Sequence, residues 1–139
     1  MDNPIVKLVI LLCIGVALDD NDHLYFSDVA NSVIYSINFS TTIENKNQFG
    51  LDVLMKDYEG IPLKGPTSLA VNNKEGRIFI CDAGYFGSTS MNNPNGSLFL
   101  YEMDTKITRT LLSNCLAYPA DVICHDQSQS TYLVETFTI

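Results

Sequence analysis

A chain of 139 residues, 46% hydrophobic and 17% charged, has the composition of a single globular domain and not of a disordered segment. Its formal net charge of −8, from 16 acidic and 8 basic residues, repels phosphate backbones and argues against nucleic acid as a partner. The acids are scattered along the chain, so they do not form an acidic tail.

Residues 5–18 are apolar except for Lys7 and Gly15, a run shorter than the roughly 20 residues of a membrane-spanning helix. The run reads two ways. It is a buried first strand, or residues 1–18 are a secretory signal or anchor with Lys7 as the positive charge. Asp2 ahead of the run and the lack of a small-residue cleavage motif weigh against the second reading. The compartment, secretory or cytoplasmic, follows that choice, and membrane contact requires residues 5–18 to act as an anchor.

A repeat begins inside this run. Gly15-Val16-Ala17-Leu18, four polar residues and Leu24-Tyr25-Phe26-Ser27-Asp28 form its first copy. The second is Ser68-Leu69-Ala70-Val71, a polar turn ending at Gly76, and Ile78-Phe79-Ile80-Cys81-Asp82. The third is Asp121-Val122-Ile123-Cys124, polar residues 125–130, and Thr131-Tyr132-Leu133-Val134-Glu135. The closing acids recur after 54 and 53 residues. Each copy predicts a β-hairpin, because two short β-branched and aromatic runs flank Asp, Asn, Gly or Ser. Two further strands are expected after Asp28, at 32–37 and 51–55, and two after Asp82, at 97–101 and 107–112. Four short antiparallel strands per repeat make a propeller blade. The fold class is therefore all-β: one partial β-propeller over residues 1–139, with units at about 14–65, 66–118 and 119–139. About two and a half four-stranded blades cannot close a ring, so apolar blade faces stay open and self-association is expected.

From residue 66 onward the pattern resembles a known family. Pro66-Thr67-Ser68-Leu69-Ala70-Val71 through Cys81-Asp82 resembles a blade of the strictosidine synthase-like propellers. Gly96-Ser97-Leu98-Phe99-Leu100-Tyr101, the turn Asp104-Thr105-Lys106, Thr110-Leu111-Leu112, Leu116-Ala117-Tyr118-Pro119 and Tyr132-Leu133-Val134-Glu135-Thr136 continue the resemblance. NHL-repeat and gluconolactonase-like (senescence marker protein-like) propellers share the hairpin motif, which also fits residues 14–37. The resemblance implies a six-bladed ring and, in its hydrolases, a calcium ion near the axis held by oxygen ligands at the starts of inner strands. Here the key Asn position is Ala120, within Pro119-Ala120-Asp121, and the preceding repeat offers only the Thr67 hydroxyl. Asp121 lies one residue out of register. No metal site and no cofactor are therefore expected from these residues, calcium requiring ligands from other blades. The family's catalytic glutamate lies in a later blade, so no catalytic residue is assigned. Asp28, Asp82 and Glu135 share one register and are expected to accept backbone N–H bonds at strand ends.

The cysteines, Cys13, Cys81, Cys115 and Cys124, form no C-x-x-C pair, and His23 and His125 lack zinc-ligand spacing. The cysteines read as buried small hydrophobes, with three disulfide pairings formally open. The insertion 85–96 is the candidate binding loop. Tyr85, Phe86, Met91, Asn92 and Asn93 present aromatic, thioether and amide groups to a small molecule or protein, with a solvated insertion as the alternative. Asn38 and Asn95 head N-x-[ST] sequons, which matter only in a secreted chain. No phosphate loop, G-x-S-x-G elbow or H-E-x-x-H motif occurs. The sequence thus points to a non-catalytic propeller segment for ligand or protein binding or scaffolding. The alternative is a fragment of a strictosidine synthase-like or calcium-dependent gluconolactonase-like enzyme.

Overall fold

The structure is a computed structural model that describes residues 13–40, 51–85, 92–125 and 130–135; for Cys13 and residues 133–135 only the backbone is described. The described residues form twelve strands. The first blade is a four-stranded antiparallel meander of β1 (Cys13–Leu18), β2 (His23–Asp28), β3 (Val33–Asn38) and β4 (Leu51–Met55). A small hairpin, β5 (Asp57–Tyr58) and β6 (Ile61–Pro62), leads to the second blade. That blade is β7 (Pro66–Asn72), β8 (Arg77–Asp82), β9 (Gly96–Glu102) and β10 (Ile107–Leu116), again in sequential order. β11 (Pro119–His125) and β12 (Ser130–Glu135) form the first half of a third blade.

The three expected hairpins are present in one register. Cys13 faces Asp28, Pro66 faces Asp82 and Pro119 faces Glu135, each pair followed by a bulge on the first strand. The bulge adds an unpaired residue and raises local twist, which turns each innermost strand at the same point. Turn chemistry follows the repeat as well. Asp22 and Gly76 occupy the same place and both adopt the left-handed region, with φ of 61° and 62°. The β5–β6 hairpin was not legible as strands. Its turn, Glu59-Gly60, has φ of 53° and 80°, the pattern of a two-residue primed turn that matches strand twist.

Blades pack face to face. Tyr25, Ile34 and Met55 of blade 1 meet Leu69, Ile78, Ile80, Phe99 and Tyr101 of blade 2. The other face of blade 2, through Phe79, Cys81, Leu98 and Leu100, receives Val122 and Cys124 of β11. β7 lies between β1 and β11, so the innermost strands are neighbours. Past the bulge this is alternation at work: Leu69 and Val71 face blade 1 and Ala70 faces β11.

Two expectations need correction. β1 is a strand, but only one face of it is buried: Gly15 is covered, whereas Ile14, Val16 and Leu18 are exposed. The sequence pattern reports apolar character, while burial depends on whether a neighbouring blade is there. Residues 5–12 of the apolar run lie outside the described residues. Among those described, no helix is long and apolar enough to cross a membrane. Of the cysteines, Cys81 is buried and unpaired, Cys124 is half-buried, and Cys115 is exposed because β10 is the outermost strand of its blade.

Candidate functional site

The edge where the inner strands start is held by side-chain hydrogen bonds. Asp82 accepts from the backbone N–H groups of Lys64 (2.8 Å), Gly65 (2.6 Å) and Gly84 (3.3 Å). Asp28 accepts from the backbone and side-chain nitrogens of Asn31 at 3.2 and 2.5 Å. Both acids are buried and do the strand-end work expected of them. The Glu135 side chain lies outside the described residues. Thr67 Oγ1 donates to Pro119 O at 2.8 Å, tying blade 2 to blade 3. Ser68 Oγ donates to Asp121 Oδ1 at 2.5 Å, and Ser27 Oγ donates to Thr67 O at 3.4 Å across the first seam. Ala120 carries no donor oxygen in its side chain. Among the described residues, no three His, Cys, Asp or Glu side chains gather closely enough to share a cation.

At the opposite edge, where the β1–β2, β7–β8 and β9–β10 turns gather, a groove of about 1140 Å³ opens between blades 1 and 2. Its wall includes Asp19, His23 and Tyr25 of blade 1 and Glu75, Tyr101 and Met103 of blade 2. Asp19 is buried at the start of the β1–β2 turn. It accepts from the Asn21 N–H (2.9 Å), the His23 N–H (2.8 Å) and the Tyr25 hydroxyl (2.9 Å). Burial pushes its carboxyl up, but these hydrogen bonds, that from His23 foremost, outweigh it and hold the group below the usual value of a carboxylate. Burial, then the Asp19 carboxylate, pushes the Tyr25 phenol above its ordinary range, and burial also raises that of Tyr101. Both phenols are thereby kept neutral.

Of the His23 ring nitrogens, Nε2 has a hydrogen-bond partner and Nδ1 has none. Nε2 lies 3.0 Å from the Asn38 amide nitrogen, which assigns Nε2 as the acceptor and puts the proton on Nδ1. Nδ1 stands 3.4 Å from Asp19 Oδ2, an ion-pair distance once the ring is charged, but without good hydrogen-bond geometry. Asn72 and Phe79 hold the places of Asp19 and Tyr25 in blade 2. The acid–phenol contact is therefore an addition to blade 1, not a demand of the repeat. This cluster escaped sequence reasoning, yet aligning the two repeats marks it: an Asp and a Tyr replace an Asn and a Phe.

The sequence-predicted loop lies at the other edge from this groove. Tyr85, Asn92 and Asn93 are exposed and line no part of the groove, while Phe86 and Met91 lie outside the described residues. The loop's root is fixed by Asp82 at one end. At the other, Lys64 Nζ donates to Asn95 O at 3.1 Å and to Asn114 Oδ1. Of the two sequons, Asn38 has its amide against His23, so a glycan there would break that contact; Asn95 is half-buried.

No protein-family profile and no curated protein matches the chain. Solved structures do. An X-ray structure from a structural genomics programme, described provisionally as a gluconolactonase, aligns at a TM-score of 0.69 and 14% identity, covering 89% of this chain and 41% of its own. A nidogen/laminin complex aligns at a TM-score of 0.45 and 15% identity, covering 90% of this chain and 57% of its own. The chain thus spans less than two thirds of either protein. Two sequential four-stranded blades, half of a third and the first of these alignments show that the chain is part of a β-propeller.

Proposed function

We propose that this chain is a non-catalytic propeller segment, a binding scaffold whose working surface is the groove between blades 1 and 2. The observation that carries this reading is the state of His23 and Asp19. The imidazole is held between Asn38 and Asp19, and the carboxylate accepts three hydrogen bonds. The Nε2 lone pair of His23 and three of the four acceptor sites of Asp19 are thus spent on holding the β1–β2 turn, not on a substrate proton. A rim carrying Asp52, Lys56, Lys74 and Lys106 suits a polar ligand or a charged peptide segment. The loop with Tyr85, Asn92 and Asn93 is a second contact surface on the far edge.

The rival reading is a piece of a six-bladed, calcium-dependent lactonase-like or strictosidine synthase-like enzyme. It draws support from likeness of fold, and folds host many unrelated activities. The test is direct: purified chain is incubated with gluconolactone and calcium, and acid release is followed by pH-stat. The expected rate equals that of buffer. Hydrolysis above buffer that EDTA abolishes overturns the proposal.

A further inference from the structure

We infer that the groove between blades 1 and 2 takes a basic peptide segment, and that a lysine ammonium of that segment seats on the Tyr25 and Tyr101 hydroxyls. This rests on the reading of the groove as the working surface and names its ligand. Tyr101 carries the argument. Its ring belongs to the buried cluster that holds Tyr25 and Met55, and the residue is only 9% exposed. It lines the groove, and its hydroxyl meets no hydrogen-bond partner among the described residues. Burying a hydroxyl without a partner is costly. The repeat does not ask for it either: the pairing register puts Ile37 of blade 1 in the place of Tyr101. A polar atom that neither the packing nor the repeat uses is left for a ligand.

The chemistry around that hydroxyl selects a cation. Asp19 is buried and ionised, and the groups that donate to it are two backbone N–H groups and the Tyr25 phenol. Among the described residues, no lysine or arginine stands within ion-pair distance of it. A buried charge calls for a partner. By accepting from Tyr25, Asp19 polarises that phenol and makes its oxygen a better acceptor. Tyr25 and Tyr101 are near enough to interact electrostatically. Two phenol oxygens thus offer lone pairs to a group with several hydrogens and no acceptor, which is an ammonium. A guanidinium prefers a carboxylate with two open acceptor positions, and Asp19 has three of its four taken. Met55 and Met103 line the same groove and suit the methylene stem of a lysine. Around them five carboxylates stand against three lysines. The chain as a whole carries −8, so a basic partner is attracted and steered. A groove of about 1140 Å³ is more than one small amine fills and holds several residues of a chain.

Fluorescence anisotropy of a labelled, end-capped peptide of alternating glycine and lysine, titrated with the purified chain at low ionic strength, tests this. The lysine peptide is expected to bind. The same peptide with arginine should bind several-fold more weakly, and with acetyl-lysine, which keeps the stem and loses the charge, not at all. Tyr101→Phe alters no charge and removes no hydrogen bond within the chain. Its urea midpoint should therefore stay unchanged while affinity for the lysine peptide falls roughly 10-fold. n-Butylamine should displace the peptide only in large excess. A lysine peptide that does not bind, or one that binds no tighter than its arginine or acetyl-lysine counterpart, overturns the inference. Binding indifferent to Tyr101→Phe is attraction to the acidic chain alone and overturns it as well. Displacement by equimolar n-butylamine gives the groove to a small amine and overturns the peptide as its occupant. Lactone hydrolysis is measured separately: a chain that neither hydrolyses lactone nor binds the lysine peptide loses this inference and keeps the non-catalytic reading.

Discussion

Gly15→Ala is the sharpest perturbation of the seam between blades. A Cβ at residue 15 would lie 2.6 Å from Thr67 O and 2.8 Å from Ser68 Cα, both backbone atoms of β7, and 3.1 Å from Ser27 Oγ. Backbone cannot rotate away as a flexible side chain does, so β1 and β7 must separate by several tenths of an ångström. Overpacking of this kind costs about 1–3 kcal/mol. The separation also strains the Gly15 N–H bond to Ser27 Oγ at 2.8 Å and that from Ser27 to Thr67 O, adding about 1 kcal/mol. The expected loss is about 2–4 kcal/mol. With a urea m-value of ~2 kcal/mol/M, the midpoint falls by about 1–2 M. The assay is urea unfolding followed by circular dichroism at one fixed protein concentration, since association would shift the midpoint. Ser27→Ala, which removes the hydroxyl alone, should lower it by about half as much. A midpoint within ~0.2 M of the unaltered chain for Gly15→Ala would refute the close approach of β1 to β7.

Thr67→Val keeps the side-chain shape but leaves Pro119 O without its buried donor; a loss of about 1–3 kcal/mol is expected in the same urea assay. Tyr25→Phe removes one of the hydrogen bonds that hold the Asp19 carboxyl down. A group held below its ordinary value contributes stability that is full above that value and is lost as pH falls through the lowered one, so the acid-unfolding midpoint should rise in this variant. The raised Tyr25 phenol acts in the opposite direction: its contribution is full below about pH 10 and is lost as pH rises beyond it, and in an ultraviolet titration Tyr25 should ionise late. Iodoacetamide should alkylate exposed Cys115 in the folded chain and spare Cys81, whose thiol burial, with the Asp121 and Asp82 charges, pushes up to about 12; peptide mapping reads both.

The hairpins were legible because alternation and turn residues act locally. Leu69-Ala70-Val71 and Ile78-Phe79-Ile80 each place every second residue on one face, and Gly76 supplies the left-handed turn between them. Burial was less legible, because it depends on the neighbouring blade: Val16 and Leu69 share a repeat position, yet one is exposed and the other buried. The groove could not be read from any local window, since Tyr25 and Tyr101 belong to different blades. Thr67 shows the same limit. Its position suggested an oxygen ligand, and the acceptor it meets, Pro119 O, lies 52 residues away.

The central claim is that these blades stack through adjacent inner strands, and NOE spectroscopy on isotope-labelled chain tests it most directly. The account predicts NOEs from Gly15 to Ser68 Hα across the first seam and from Thr67 to Pro119 or Ala120 across the second, alongside the cross-strand NOEs of each blade. Intact cross-strand NOEs within the blades, with none across either seam, would contradict it.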